Sequence, residues 1–494
     1  MNRFGIIDIG SNSVRLVIVD IINKKYFRIV HETKEAVRLG KDIDKKQNLN
    51  SGRMKYAVET INNYKTICNA FSVDRIIAVA TEAVRRSSNQ RQFLEMVQKT
   101  SGINIAILSG KQEAYYDYIG AINSLDVRDC LLVDVGGSST EIILVKDRKL
   151  IQSISIPYGS ISFTDEYKKS PKSFANNIRS IFKKYTWLKQ AKDFPLVGIG
   201  GTFRNIGKID RKRRNYPLDL SNNYTFLNQD FSHILCAATS EKSTIKGKKL
   251  KGLSTDRADI FCGPVAAISE LISYCGTKNI IISGSGVREG LIYEQLLGEG
   301  KLVHDVLDYS LGCLVHSYCN LMPHCEKVYE LAYSLYEQLD SFFPFDRSTK
   351  RILKAAALLH DCGVSINFYN HHKHSFYLII NSRLNGLSHR EILLAAYVAA
   401  LHRKDGFKLD LFRYRTLINK NDILIAQKLG TLIKICESLD FRMNGFIKAV
   451  TITQHNNSII IKLISDTDTR IEAETAMKCQ NTFRKVFGKN LMVV

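Results

Sequence analysis

The 494-residue chain has no run that approaches the roughly 18 consecutive apolar residues of a membrane-spanning helix. It enters a strand-like segment directly, without the basic and apolar pattern of a secretory signal. Its eleven cysteines show no CxxC spacing, so we expect reduced thiols rather than disulfides or thiolate metal sites. These absences predict a cytoplasmic protein that does not need a membrane.

Signatures of zinc fingers, RNA-recognition motifs and helix-turn-helix motifs are also missing, which weakens the case for a nucleic-acid partner. The charge is nevertheless one-sided: 70 Lys and Arg against 48 Asp and Glu give a net charge of +22. Local clusters lie at 211–214 and 246–251. Such a surplus favours a polyanionic partner, namely nucleic acid, an acidic membrane or a phosphate polymer, but a solvated lysine-rich surface explains it equally well.

Length and composition indicate a multidomain globular protein. A chain of 494 residues with 45% hydrophobic and 24% charged residues is too long for one ordinary core. We therefore expect about two to four domains.

One stretch, LLVDVGGSSTEI at 131–142, combines a short buried strand with a glycine turn and two carboxylates. Gly136 and Gly137 permit a tight turn, where backbone N–H groups can approach phosphate oxygens closely. Asp134 and Glu141 stand at the two ends of the turn, placed to hold a divalent cation or a water molecule. An ordinary hairpin with a solvated Gly-Gly turn would show the same pattern.

Similar glycine-hydroxyl turns follow apolar strands at three other places, namely 4–13, 195–202 and 279–290. A single turn of this kind is weak evidence, because glycine after a strand is common. Four of them within 300 residues favour a polyphosphate-binding cleft built from small-residue loops and helix N-termini. The two strand–Asp–Gly–hydroxyl hairpins, starting at Phe4 and Leu131, predict a duplicated fold with the cleft between its halves.

Two further candidates lie between these hairpins. Arg85 and Arg86 stand where a strand passes into a helix, and Glu113 lies in the first turn of a helix that follows Ser109 and Gly110. A carboxylate at this place is often only a favourable partner of the helix dipole.

Six segments occur in the order expected for a known family: DIGSNSVRLVIVD (8–20), ATEAVRRSSN (80–89), SGKQEA (109–114), DVGGSSTEI (134–142), GIGGT (198–202) and SGSGVREG (283–290). They resemble the exopolyphosphatase and guanosine pentaphosphate phosphatase family, which belongs to the superfamily of actin-like ATPases and sugar kinases. The resemblance implies an α/β fold with ribonuclease-H-like subdomains at 1–122 and 123–300. It also implies Mg²⁺-dependent hydrolysis of a terminal phosphoanhydride, with Mn²⁺ as another possible ion and no organic cofactor.

The resemblance also implies roles for individual residues. Glu113 matches the catalytic carboxylate that orients or deprotonates the attacking water, and Asp134 and Glu141 match the acidic pair near metal and water. Arg85 matches a basic contact. The positions that match phosphate-binding loops are Ser11, Asn12, Ser13, Gly137, Ser138, Ser139, Thr140, Gly200, Gly201 and Thr202. Gln112 departs from the family pattern, because many relatives carry a second Glu there.

From about residue 301 the pattern becomes helical and histidine becomes frequent. Neutral imidazole together with carboxylate suits divalent transition metals, so these histidines suggest a metal site. The region 301–494 resembles an HD-type phosphohydrolase domain with a small α+β segment at its end. His324 matches the leading His and His360-Asp361 the signature pair. Glu437 stands where the family has a metal-binding Asp, and Asp440 follows one helical turn later.

Several interpretations of this region stay open. The histidines could be an idle scaffold, a structural metal site or a second hydrolase. Alternatively, Arg403 and Lys404 could line a basic path for a long polyanion together with His371–His374. Long exopolyphosphatases carry a related domain, regarded as binding the polymer and aiding dimerisation, so the resemblance implies a homodimer.

Three functions are compatible with the sequence. The first is an exopolyphosphatase that removes terminal phosphate from inorganic polyphosphate, with no requirement for nucleic acid. The second is a guanosine pentaphosphate 5′-phosphatase that uses the same site. The third is a non-catalytic module that binds polyphosphate or nucleic acid, against which the three carboxylates Glu113, Asp134 and Glu141 argue.

Overall fold

The computed structural model describes residues 2–43, 46–240, 250–319, 321–346, 348–403 and 407–494. The chain divides into two compact units, one formed by Met1–Tyr216 and Ser221–Val306 and the other by Pro217–Leu220 and Leu307–Val494. The predicted division into three parts at 122 and 300 stays a prediction.

The first sheet of the N-terminal unit has the strand order β3-β2-β1-β4-β5. Its strands are β1 (Arg3–Ile9), β2 (Val14–Ile22), β3 (Tyr26–Glu35), β4 (Arg75–Ala80) and β5 (Ile105–Ile107). The accompanying helices are α1 (Ser51–Ala70), α2 (Glu82–Arg85), α3 (Gln90–Ser101) and α4 (Gly110–Ile122). The first three strands form an antiparallel meander, and β4 and β5 continue the sheet in parallel.

The second sheet repeats this pattern with the order β10-β11-β9-β6-β7-β8. Its strands are β6 (Cys130–Val135), β7 (Thr140–Lys146), β8 (Lys149–Ile156), β9 (Leu196–Ile199), β10 (Tyr224–Leu227) and β11 (Asn279–Ile282). The helices are α5 (Ser160–Lys169), α6 (Pro171–Lys183), α7 (Gly200–Arg213), α8 (Asn228–Thr239), α9 (Cys262–Cys275) and α10 (Val287–Leu297), with 3₁₀ turns at Thr186–Ala191 and Thr255–Ile260. A meander followed by parallel strands on each sheet confirms the predicted α/β fold.

Strand β6 shows why the sequence folds this way. Leu131, Leu132 and Val133 are completely buried, because β6 is a central strand, antiparallel to β7 and parallel to β9, with both faces covered. The same strand then presents Asp134 at its carboxyl end, before the turn to β7. The core of each half therefore places polar turns at the same edge of the sheet.

Helices α4 and α10 approach closely at Gly290, which joins the two halves of this unit. A Cβ placed on Gly290 would lie 2.1 Å from the carbonyl oxygen of Tyr116. No heavy atom tolerates such a distance, so a larger residue would force the helices apart.

We expect the Gly290→Ala variant to be destabilised by about 1–3 kcal/mol, the usual cost of overpacking. Ala is intrinsically the better helix former by roughly 0.5–1 kcal/mol, so a loss of stability would have to come from the contact. Urea unfolding measures the difference. Gly52→Ala is the control, because Gly52 is exposed in α1 and its added Cβ would meet the flexible Asn50 side chain at 3.3 Å. Equal or greater stability of Gly290→Ala would contradict the packing argument.

The C-terminal unit is mainly helical. Its helices are α11 (Val306–Tyr318), α12 (Met322–Leu339), α13 (Thr349–Leu359), α14 (His371–Asn381), α15 (His389–Leu401), α16 (Leu411–Tyr414), α17 (Lys420–Leu439), α18 (Arg470–Met477) and α19 (Gln480–Phe487), with a 3₁₀ turn at Cys362–Ser365. A three-stranded sheet of β12 (Ala449–His455), β13 (Ser458–Ile464) and β14 (Asn490–Val493) completes it. These elements confirm the predicted helical region with a small α+β end.

None of the helices in the described part of the chain combines the length and apolar character that a membrane crossing requires.

Candidate active site

Two hairpin turns meet at the centre of the N-terminal unit. In the β1–β2 hairpin Asp8 pairs with Arg15, and in the β6–β7 hairpin Asp134 pairs with Glu141. The turns touch, because a Cβ placed on Gly137 would lie 2.7 Å from Ser11 Cβ. Only a residue without a side chain permits this approach, so the glycine turn and the hydroxyl turn together form the floor of a cleft.

The cleft contains a cavity of about 120 Å³. The predicted site residues that line it are Ser11, Asn12, Ser13, Glu113, Asp134, Gly137, Ser139, Gly200 and Gly201. The structure thus brings together segments from four predicted turns or helix starts. Arg85, Ser138, Thr140, Glu141 and Thr202 are not among the described residues that line it.

Glu113 is held at the first turn of α4, where its side chain faces the cavity. The helix starts with a capping box. The Ser109 hydroxyl accepts a hydrogen bond from the backbone N–H of Gln112, and the Gln112 side-chain oxygen accepts one from the backbone N–H of Ser109. Gln112 is therefore engaged in starting the helix. Glu113 is 8% exposed, and burial followed by the charge of Glu141 raises its pKa well above the usual value.

Arg85 is the direct partner of Glu113. Its Nη1 donates to Glu113 Oε2 at 3.3 Å, and its guanidinium also binds Glu82 and the Leu108 carbonyl. The guanidinium therefore orients the carboxylate from behind. Its predicted contact with phosphate stays a prediction.

Asp134 and Glu141 differ in their access to the cavity. Asp134 lines it, and burial raises its pKa to about 6 despite the nearby Arg204. Glu141 is 1% exposed and accepts a hydrogen bond from Ser155 at 2.7 Å, while burial raises its pKa to about 8. Carboxyl groups with pKa values raised by burial in a cleft are typical of functional sites.

The carboxylates of the cleft can be tested for their fit to the Mg²⁺ that the family resemblance implies. In the described part of the cleft, no three His, Cys, Asp or Glu side chains bring their ligand atoms within 4.8 Å of one another. Magnesium usually binds one or two carboxylates and completes its shell with water and substrate phosphates. Asp134 in the cavity wall and Glu141 beside it on the neighbouring strand fit that arrangement.

Two residues predicted to bind phosphate, Thr140 and Thr202, hydrogen-bond to backbone carbonyls and do not line the cavity. The Thr140 hydroxyl donates to the Tyr158 carbonyl at 2.6 Å, and the Thr202 hydroxyl donates to the Val135 carbonyl at 3.3 Å. Their contact with phosphate stays a prediction.

Four arginines of the cavity wall were not predicted as site residues: Arg15, Arg204, Arg257 and Arg288. Burial, followed by the charges of Arg15 and Arg288, lowers the pKa of Arg204 to about 10. Arg288 is held by Glu32 at 2.6 Å. Arg204 lies two residues after the GIGGT segment, so its sequence position could have indicated that it belongs to the site. Arg257 comes from the distant 3₁₀ turn at Thr255–Ile260, and its sequence position gave no such indication.

Asp117 is a second residue that the sequence did not reveal. It lies one turn after Glu113 on α4, is completely buried, and neither carboxylate oxygen has a hydrogen-bond partner among the described residues. Burial, together with the charges of Asp134 and Glu141, raises its pKa well above the usual value. Burial thus disfavours the ionised form of the Asp117 carboxyl group.

The predicted metal residues of the C-terminal unit also converge. His324 Nε2 and His360 Nε2 lie 2.8 and 2.9 Å from the same oxygen of Glu437. Asp440 contacts the other nitrogen of His324 at 2.8 Å. Although burial lowers the pKa of His324, its hydrogen bonds to Asp440 and Glu437 raise it to about 9.

The basic clusters have partners or lie outside the described residues. Arg213 and Arg214 both pair with Asp210 and Asp230, so two of the four cationic side chains at 211–214 are neutralised. Arg403 contacts His371 Nδ1 at 2.9 Å. Lys404 and the lysines at 246–249 lie outside the described residues.

Comparison with protein-family models gives two matches. The Ppx/GppA phosphatase family matches residues 17–299. Ppx/GppA phosphatase, domain III, matches residues 314–477.

Two relatives span nearly the whole chain. A guanosine-5'-triphosphate,3'-diphosphate pyrophosphatase of Pseudoalteromonas translucida is 26% identical over 454 residues, covering 89% of this chain and 88% of the relative. A protein of the same name from Aeromonas hydrophila is 25% identical over 479 residues, covering 94% and 92%.

Solved structures resemble the N-terminal part. The Ppx/GppA family member of Aquifex aeolicus is 27% identical with a TM-score of 0.52, covering 60% of this chain and 99% of that chain. An exopolyphosphatase of Cytophaga hutchinsonii is 23% identical with a TM-score of 0.54, covering 60% and 98%. The latter likeness concerns the fold alone.

Proposed function

The chain belongs to the Ppx/GppA phosphatase family, and on this premise we propose that it hydrolyses the terminal phosphoanhydride bond of inorganic polyphosphate and releases orthophosphate. The observation that carries the choice of substrate is the wall of the cavity. Four arginines and the small-residue turns surround it, and none of the described residues that line it is aromatic. Such a wall suits a chain of phosphates, whereas a nucleobase usually stacks on an aromatic ring.

The arginines and turn amides would bind the terminal phosphate and neutralise its charge. Phosphoryl transfer passes through a loose transition state, so it depends more on positioning and charge neutralisation than on covalent catalysis. Arg15, Arg204 and Arg257 lie on separate elements of the cavity wall, so they could contact oxygens on different sides of the phosphate.

Glu113 would accept the proton of the attacking water. As the water oxygen bonds to the terminal phosphorus, the anhydride P–O bond breaks and the shortened polyphosphate leaves. The raised pKa of Glu113 makes its carboxylate a stronger base, and Arg85 holds it in place. Asp134 and Glu141 would hold Mg²⁺ or Mn²⁺, which would supply further charge neutralisation at the phosphate oxygens.

Guanosine pentaphosphate is the second candidate substrate. It is supported by the printed names of the two relatives that match nearly the full chain. Its 5′-terminal phosphate would enter the same cavity, but its guanine base would find no aromatic ring among the described residues of the cavity wall to stack on.

The experiment that tests the proposal is phosphate release by the full-length protein with Mg²⁺. Long-chain polyphosphate and guanosine pentaphosphate are offered separately at equal concentrations of terminal phosphate, and Glu113→Gln is run alongside. We expect a higher kcat/KM with polyphosphate and loss of activity in the variant. A preference for the nucleotide would favour the second candidate.

Two other outcomes have distinct meanings. Release that survives Glu113→Gln undiminished would place the activity outside the cleft. Binding of polyphosphate without release from either substrate would favour a non-catalytic module.

A further inference from the structure

Arg257 has few contacts that fix its guanidinium in the cavity wall. Arg288 is held by Glu32 at 2.6 Å, whereas the one hydrogen bond that the Arg257 guanidinium makes within the described residues runs to the Thr202 hydroxyl at 3.4 Å. A hydrogen bond of this length is weak. Burial, followed by the charge of Arg15, lowers the pKa of Arg257, because guanidinium groups repel one another. The segment that carries Arg257 therefore determines where its side chain stands.

The Arg257 guanidinium lies against the backbone at the start of α7. A Cβ placed on Gly201 would lie 2.3 Å from Arg257 Cζ. Gly201 also lines the cavity, so the guanidinium stands beside one of the small-residue turns proposed to bind phosphate. A shift of the 3₁₀ turn at Thr255–Ile260 would move the guanidinium away from that turn.

Two ion pairs connect this 3₁₀ turn to the first sheet. The Lys34 ammonium binds the Asp256 carboxylate, and Arg38 Nη1 lies 3.4 Å from Asp259 Oδ2. Arg38 Nη2 also donates to the Asp256 carbonyl at 3.5 Å. The partners are 222 and 221 positions apart in the chain, so only the tertiary structure brings them together.

The register of the first sheet gives the Lys34–Asp256 pair its importance. Lys34 stands directly opposite Arg15 in the ladder of β2 and β3, and Asp256 directly precedes Arg257. Opposite residues of an antiparallel pair direct their side chains to the same face of the sheet. The ion pair therefore links the immediate neighbours of two cavity arginines that come from different sheets, and it opposes the repulsion between them.

Strand β3 also holds a third cavity arginine. Glu32 lies two residues before Lys34, so both side chains lie on the same face of the strand. Glu32 binds Arg288 directly, whereas Lys34 binds the residue before Arg257. One face of β3 thus fixes arginines on two separate elements of the cavity wall.

The Lys34–Asp256 pair is charged and partly shielded from water. The side chains are 35% and 28% exposed. Although burial raises the pKa of Asp256, hydrogen bonds from Lys34 and Ser254 lower it to about 2, so the carboxylate is ionised at neutral pH. Ion pairs near a protein surface contribute little to the free energy of unfolding. Breaking this pair should therefore affect the geometry of the site more than the stability of the fold.

We propose that Lys34 and Asp256 are positioning residues for phosphate binding, and that their ion pair holds Arg257 at the separation from Arg15 at which both guanidinium groups contact one phosphate group. Neither Lys34 nor Asp256 is among the described residues that line the cavity, so both act through the two arginines. The negative charge of the phosphate group then neutralises the two guanidinium groups that the ion pair has brought together. This inference rests on the function proposed above for the cleft.

The first test measures phosphate release from polyphosphate by the full-length protein with Mg²⁺. We expect Lys34→Met and Asp256→Asn each to lower kcat/KM by about 5–50-fold, since misplacing a binding group by one ångström can cost about 100-fold. Lys34→Arg keeps the charge and should retain most of the activity. The charge-exchanged double variant, Lys34→Asp with Asp256→Lys, should be more active than either of its single variants. Lys278→Met is the matched control, because Lys278 pairs with Asp193 at 2.8 Å elsewhere in the same unit, and it should match the wild type.

A double-mutant cycle separates positioning from a merely structural role. In an Arg257→Met background the ion pair has no guanidinium left to position, so adding Lys34→Met should change kcat/KM by less than about 2-fold. Urea unfolding establishes that the variants are folded. A full effect of Lys34→Met in the Arg257→Met background, or no recovery in the charge-exchanged variant, would overturn the inference.

Binding of orthophosphate tests the same contact without turnover. Isothermal titration calorimetry in the absence of metal should give a higher dissociation constant for Lys34→Met than for the wild type and for Lys278→Met. If the wild type binds orthophosphate in this Lys34-dependent way but hydrolyses neither polyphosphate nor guanosine pentaphosphate, the proposed hydrolysis fails and the positioning stands. If Lys34→Met equals the wild type in both kcat/KM and phosphate affinity, the positioning fails and the proposed hydrolysis stands.

Discussion

The Glu113→Gln variant is expected to lose about 10²–10⁴-fold in kcat for phosphate release, the contribution that a well-placed general base usually makes. Glutamine keeps the size of the side chain and can still face Arg85, so the fold and the cavity should be preserved. It cannot accept the proton of the attacking water at neutral pH. Since the arginines proposed to bind phosphate are untouched, we expect KM to change much less than kcat.

The matched control for this variant is Glu95→Gln. Glu95 also lies on a helix of the N-terminal unit, but its side chain is 65% exposed and pairs with Arg91 in the i,i+4 position. Its activity should equal that of the wild type. Initial rates of phosphate release at saturating substrate provide the measurement, with urea unfolding to compare stability. A loss of less than threefold in Glu113→Gln would remove Glu113 from the mechanism.

The Arg204→Met variant is expected to lose about 10–100-fold in kcat/KM, because a hydrogen bond to a charged group contributes about 1.5–3 kcal/mol. Arg204 lies half-buried in the cavity wall near Asp134, where water screens its charge less than at an open surface. Methionine keeps much of the volume but offers neither charge nor a donor. The loss should be found with polyphosphate and with guanosine pentaphosphate, since both present a terminal phosphate.

Two further variants sharpen this result. Arg204→Lys should recover part of the activity, because it keeps the charge but loses the planar fork that can bind two phosphate oxygens. Arg91→Met is the control, because the Arg91 side chain is 92% exposed on α3 and should contribute nothing measurable. If Arg204→Met matched the wild type, the phosphate would have to bind elsewhere in the cleft.

The sequence determined the local parts of this protein. Each hairpin turn is encoded within about a dozen contiguous residues, so its glycines, hydroxyls and Asp could be read directly. The same holds for the start of α4, where Ser109, Gln112 and Glu113 lie in one turn. Family resemblance then ordered these parts into a duplicated α/β fold and identified the phosphatase family. The region of 301–494 was predictable as helical from its apolar spacing.

Only the tertiary structure decided which charged residues lie beside the hairpin turns and the start of α4. Arg15, Arg204, Arg257 and Arg288 come from different elements. Arg204 follows the GIGGT segment, but the local sequence around Arg257 does not separate it from the other basic residues. In the same way, the structure pairs Arg85 with Glu113 and Glu82, a partner set that the family motif did not reveal.

The histidines around Asp361 in the C-terminal unit also show what the local sequence reveals and what only the packing of helices decides. His360 and Asp361 are adjacent in sequence, so their pattern could be recognised. His371 and His402 join Asp361 only because α14 and α15 pack beside the end of α13. Local sequence determines which side chains stand at a turn or helix end and which conformation it adopts, because the contacts within it join residues only a few positions apart. Which ends meet is decided by the packing of buried faces, and this depends on the whole chain.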